Sequence, residues 1–180
     1  MPRRSTLAIA ALVLAAAPAR ADDVTAESMP SDDGVLVVAR TVIDAPAARV
    51  AAIVGDPSSF AELFPAEEVR VLGDSGGARI VALRMRDRWV GAFTWIESLA
   101  RSTDGAALVV ERRSLSSEFY AHLHAIWRVT PLSAARCEVT YRVDIALKHW
   151  PTWMIRRGTV AGVAAVVGRL RTMSARATGR

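Results

Sequence analysis

The chain has 180 residues, 23 Lys+Arg against 18 Asp+Glu, a net charge of +5 and one cysteine. That length fits one domain with a sizeable core, since domains run roughly 100–200 residues. A composition 52% hydrophobic and 23% charged excludes disorder and collagen, and a lone Cys137 excludes an internal disulfide framework and every multi-cysteine metal site.

Arg3 and Arg4 precede an apolar run from Leu7 to Ala17, followed by Ala19-Arg20-Ala21. A basic start, a short apolar middle and a small-x-small end have the form of a cleaved secretory signal, so residues 1–21 are expected to be removed, leaving Asp22 as the mature N-terminus. Losing Arg3, Arg4 and Arg20 with no acid takes the net charge from +5 to +2, which does not point to a nucleic-acid binder. Nothing after residue 21 offers the about 18 apolar positions of a spanning helix. The acidic stretch 22–33 is expected to be a flexible lead-in.

Val35–Ile43 is β-branched and apolar and predicts a strand. Asp44-Ala45-Pro46 ends it, and Pro46 suits the start of a helix over Ala47–Val54. Gly55-Asp56-Pro57 breaks that helix, with Asp56 capping a second one through Leu63. From Val69 the pattern alternates. Strands are predicted at Val69–Leu72, Arg79–Asp87, Trp89–Leu99, Ala107–Arg112, Phe119–Thr130 and Cys137–Ala146, separated by Gly-, Ser- and Pro-rich turns. Pro151 opens a long helix to about Ala175, whose stripe Trp153, Val160, Val163, Val167 and Leu170 recurs at helical spacing. The order β-α-α-β6-α is not βαβ alternation, so the sheet is expected to be antiparallel with one face covered by the last helix.

Alternation sets Val81, Leu83 and Met85 against Ile80, Ala82, Arg84 and Arg86, and Phe119, Leu123 and Trp127 against Tyr120, His122 and His124. The apolar faces are expected inward, with His122 and His124 in solvent. Arg84, Arg86, Arg128 and Arg142 are expected on the outer face, paired across strands with Glu138 and Asp144. Trp89, Phe93, Trp95, Tyr141, Trp150 and Trp153 serve either as core or as cavity wall. Arg156, Arg157, Arg169 and Arg171 flank the last helix and suit either solvent or an anionic lipid surface. The motifs G-x-S-x-G and H-E-x-x-H and glycine-rich phosphate loops are absent.

Thr41–Pro65 (TVIDAPAARVAAIVGDPSSFAELFP) resembles the opening of the START/Bet v 1-like (SRPBCC) superfamily. Ile126–Leu132 (IWRVTPL) and Cys137–Arg157 (CEVTYRVDIALKHWPTWMIRR) are similar to the closing stretch of START lipid-transfer domains. One departure is that Lys148-His149-Trp150 stand where a Gly is usual in that loop. The resemblance implies an α+β helix-grip fold, a curved antiparallel sheet of about seven strands wrapped on a long C-terminal helix around an apolar cavity. Its members bind sterols, phospholipids, fatty acids or aromatic polyketides, and some are cyclases or hydrolases.

These readings combine into a signal peptide (1–21), the lead-in (22–33), a START-like ligand-binding domain (34–175) and a tail (176–180). The expected function is an exported, periplasmic or secreted monomer that binds and transfers a hydrophobic small molecule or lipid. It is expected to touch membrane surfaces transiently and to use no cofactor, metal, nucleic acid or catalytic residue. The expected wall is Leu83, Met85, Phe93, Trp95, Phe119, Leu123, Trp127, Tyr141, Trp153, Val160, Val163 and Val167, with His149 and Trp150 at the rim. Two other readings stand open. One is a polyketide cyclase-like or hydrolytic enzyme with Tyr120, His122 or His124 turned inward, and the other is an interaction module with a collapsed cavity.

Overall fold

The computed structural model describes residues 24–31, 34–87 and 91–176. The signal-peptide reading of 1–21 and the placement of Trp89 lie outside these residues. Eight strands form one antiparallel sheet in the order β1-β2-β8-β7-β6-β5-β4-β3. They are β1 (Thr25–Pro30), β2 (Val35–Ile43), β3 (Glu68–Ser75), β4 (Ala78–Asp87), β5 (Gly91–Asp104), β6 (Ala107–Ser117), β7 (Tyr120–Ser133) and β8 (Arg136–Leu147). Helix α1 (Ala47–Gly55), a 3-10 turn (Pro57–Ser59) and α2 (Phe60–Leu63) follow β2, and α3 (Thr152–Arg176) closes the chain. The architecture is the α+β helix-grip fold, with eight strands where the sequence predicted about seven.

The extra strand is β1, and it corrects the flexible lead-in. Its residues are mostly exposed, so side-chain burial does not hold it. Its backbone pairs with β2 from Thr25↔Arg40 to Pro30↔Val35, and Arg156 of α3 donates from Nε to Ser28 Oγ at 2.6 Å.

Period-two burial runs along each central strand. On β2, Val35, Val37, Ala39 and Ile43 are buried, and on β8 so are Cys137, Val139, Tyr141 and Val143. Both sets face α1–α3 in one core cluster with Val50, Val54, Phe60, Leu63, Val167 and Leu170. Between β3 and β4, Gly76 (φ +59°) and Gly77 (φ +79°) both take positive φ, which a two-residue hairpin of the primed type requires. Asp56 does cap: it accepts from Ser58 N at 3.0 Å and from the Ser58 hydroxyl at 2.6 Å.

The outer-face ion pairs differ from those expected. Arg86 pairs with Glu67 at 2.6 Å, Arg84 with Glu67 at 3.8 Å and Arg128 with Asp104. Glu138 and Asp144 stand on β8, separated from β4 by three intervening strands, beyond the reach of Arg84 and Arg86 when neighbouring strands lie about 4.8 Å apart. Asp144 instead meets His122 at 3.2 Å, and Glu111 meets His124 at 2.6 Å. Both histidines are therefore on the outer face, as alternation predicts.

Candidate functional site

A cavity of about 140 Å³ lies between the sheet and α3. The floor comes from five strands and the β6–β7 connection: Met85 (β4), Trp95 (β5), Arg112 (β6), Phe119 (connection), Tyr120 and Leu123 (β7), and Tyr141, Val143, Ile145 and Leu147 (β8). The roof is Gly158, Thr159, Gly162, Val163, Val166 and Arg169 of α3, with Phe64 after α2 beside them. The volume matches that of an engineered cavity that takes benzene. Drug-sized pockets run about 300–1,000 Å³.

Six of the twelve expected wall residues line this cavity: Met85, Trp95, Phe119, Leu123, Tyr141 and Val163. Leu83, Phe93 and Trp127 point to the same side of the sheet but are closed over by neighbours. The ring of Phe93 lies 4.8 Å from that of Phe119, and the indole of Trp127 stacks on Tyr141 at 3.6 Å and 7°. Trp153, Val160 and Val167 are not on the wall, for a helical reason. At about 100° per residue, the lining residues Gly158, Thr159, Gly162, Val163, Val166 and Arg169 fall within an arc of about 140°, whereas Val167, Val160 and Trp153 lie beyond its edge at Val163, about 110° or more from its middle. Trp153 is 71% exposed and borders a separate surface groove with Met29 and Arg156. The lining stops at Leu147, so His149 and Trp150 are not part of it. His149 holds φ +65°, a left-handed conformation that Gly adopts more readily than other residues.

Tyr120 corrects the strict alternation of β7. The register shifts between Tyr120 and His122, with Tyr120 opposite Leu147 and His122 opposite Ala146. A bulge spends one residue without advancing the pairing, which reverses the facing of Tyr120, the strand's first residue, while Phe119 lies outside the strand. Tyr120 thereby joins Phe119 on the cavity side, its ring 5.5 Å from Trp95.

The sequence reading also passed over a buried ion pair. Arg112 donates from Nε to Glu97 Oε1 at 2.7 Å and from Nη2 to Oε2 at 2.8 Å. Trp95 Nε1 donates to the same Oε2 at 2.9 Å. Arg112 is 2% exposed and Glu97 is 0% exposed, and the guanidinium lies 3.9 Å above the centre of the Phe64 ring. Burial works against the charge of Arg112, but Glu97 and the tyrosines Tyr141 and Tyr120 outweigh it and raise its pKa. Alternation along Phe93, Trp95, Glu97 and Leu99 was the available signal, because it sets the carboxylate among inward side chains. Burial also lifts the Tyr141 phenol to about 12, against the opposing pull of Arg112. Tyr141 is thus a neutral donor or acceptor at physiological pH.

Arg169 reaches the site from α3. Its Nε donates to the Leu63 carbonyl at 2.8 Å, while its Nη2 is buried with no hydrogen-bond partner among the described residues. No Asp or Glu is among the described lining residues, and these residues contain no group of three His, Cys, Asp or Glu placed to hold a metal ion.

Comparison with known proteins follows this geometry. The family model described as polyketide cyclase / dehydrase and lipid transport matches residues 35–176. No curated protein matches the chain. Among solved structures, the STAR-related lipid transfer protein of Xanthomonas axonopodis is similar at TM-score 0.74 and 14% identity, covering 86% of this chain and 94% of that one. A START superfamily protein from Mycobacterium smegmatis is similar at TM-score 0.69 and 12% identity, covering 79% and 98%. The Zhui aromatase/cyclase of a Streptomyces species is similar at TM-score 0.61 and 25% identity, covering 80% and 97%.

Proposed function

Since the chain belongs to the polyketide cyclase / dehydrase and lipid transport family, we propose that it binds and carries a hydrophobic small molecule, of the lipid class, in the cavity under α3. The observation that carries this reading is the cavity itself, an apolar and aromatic pocket with a few fixed polar groups, the usual make-up of small-molecule sites. Met85, Trp95, Phe119, Leu123, Tyr141 and Val163 supply contact area. The Arg112 head, held by Glu97, supplies a rigid polar point.

A carrier is favoured over a cyclase or hydrolase by what faces the cavity: of the three groups on which the enzyme reading depends, Tyr120 alone does. His122 and His124, the natural proton-transfer groups, pair with acids on the opposite face. Tyr141, with its pKa pushed up to about 12, does not serve as a base near neutral pH.

The export reading belongs to the same proposal: Arg3-Arg4, the Leu7–Ala17 run and Ala19-Arg20-Ala21 direct the chain across a membrane, with cleavage before Asp22. Trp153, exposed beside Met29 and Arg156, suits brief contact with a membrane surface, where an aromatic ring and a cation sit comfortably.

Native mass spectrometry of the exported protein, with extraction and identification of what co-purifies, tests the proposal. Val163→Trp is the companion variant. A ring placed in the cavity is expected to leave the protein folded and empty of ligand. A Val163→Trp protein that carries the same ligand load as wild type overturns the assignment of the cavity.

A further inference from the structure

The cavity has two guanidinium groups and they are not equivalent. Arg112 has its charge met by the bidentate Glu97 carboxylate. Among the described residues Arg169 has no carboxylate partner: Nε is spent on the Leu63 carbonyl, and Nη2 is buried without a partner. A buried donor on a charged group is costly to leave unmatched. Burial alone acts on this side chain and lowers its pKa. The α3 lining residues one and two turns before it, Val166 and Gly162, and Phe64, which follows the Leu63 carbonyl it binds, have no side-chain acceptor. With Arg112 neutralised and no acid among the described lining residues, the site's uncompensated charge is positive and sits at Arg169.

We infer that Arg169 selects the ligand, and that the ligand is an amphiphile whose anionic oxygen, of a carboxylate or a phosphate, accepts from the Arg169 guanidinium while its apolar part lies along the aromatic floor. This rests on the hydrophobic-ligand reading and narrows it: neutral lipids and sterols offer Arg169 only uncharged acceptors, which leave its charge unmatched. A charge-assisted hydrogen bond at a buried site is expected to favour the acid over its neutral analogue by at least about 10-fold.

The experiment is calorimetric titration of the mature protein with decanoate, decyl phosphate, decanol and inorganic phosphate. The expected result is that decanoate or decyl phosphate binds at least about 10-fold tighter than decanol, and that the preference fades as the carboxyl of decanoic acid protonates at low pH. Which of the two acids binds tighter identifies the head group. In Arg169→Gln the acid-to-alcohol ratio is expected to collapse toward one, a change that a merely structural role for Arg169 does not produce. Decanol binding as tightly as decanoate and decyl phosphate in wild type overturns the inference and leaves the hydrophobic-ligand reading standing. Binding of none of the three amphiphiles overturns both. Inorganic phosphate matching decyl phosphate in affinity also overturns the inference, since the site then takes a free anion.

Discussion

A carboxylate and a guanidinium each lose several kcal/mol of hydration on burial, and in this protein their mutual two-bond contact is the main compensation for Glu97 and Arg112 in the interior. Removing one partner strands the other. Glu97→Ala is therefore expected to cost about 3–5 kcal/mol, read as a lower urea midpoint, and it also frees Trp95 Nε1 of its acceptor. The double variant Glu97→Leu with Arg112→Met removes both charges and is expected to recover most of that loss. A single variant as stable as wild type would contradict the pairing. Tyr141 makes a prediction on the alkaline side. Its folded pKa of about 12 stands above the unfolded 10.0, so folding favours the protonated phenol. That contribution is complete below pH 10 and is lost as pH climbs toward 12, because the unfolded chain sheds the proton first. Tyr141→Phe should flatten the fall in stability across this window, and phenolate absorbance should show one of the two tyrosines ionising late.

At the scale of elements, what was legible in the sequence was what short-range pattern determines. Strand β2 is Val35–Ile43 by pattern and by structure, and the terminal helix begins within a residue of Pro151. Strand β1 was not legible because its residues carry no apolar alternation; only pairing with β2 makes Thr25–Pro30 a strand. Tyr120 and the wall of α3 failed for a related reason. A one-residue bulge or a small rotation of a helix leaves composition untouched and changes which side chains meet the cavity. The turn between β1 and β2 gives this scale its test. A Cβ on Gly34 would lie 2.2 Å from the Ile145 carbonyl oxygen, a backbone atom fixed by the β2–β8 pairing Val35↔Ile145. Gly34→Ala is expected to cost about 1–3 kcal/mol by overpacking, measured as a lower melting temperature. An unchanged melting temperature would mean that β2 and β8 are farther apart at this point.

For the molecule as a whole, the cavity of about 140 Å³ holds one ring, and a longer chain enters only if α3 moves off the sheet. Gly158 and Gly162 on the roof each cost a helix about 1 kcal/mol relative to Ala, which makes that length of α3 the easiest part to displace. Hydrogen exchange should accordingly be faster in Gly158–Val166 than in β8 without ligand, and should slow most there when a ligand is bound. The sheet order carries a different consequence, one of timing. Strand β2 finds its second neighbour in β8, almost at the far end of the chain, while β4 to β8 each pair with the strand before them. During synthesis the hairpins of the meander can form as they emerge, but β2 must wait with Val35, Val37, Ala39 and Ile43 uncovered until Cys137–Ile145 exists. Such distant pairing is slow, and exposed apolar strands aggregate while they wait. A chain cut short before Cys137 would have most of its strands and no means of closing its sheet, so the commitment to fold belongs to the last quarter of the sequence.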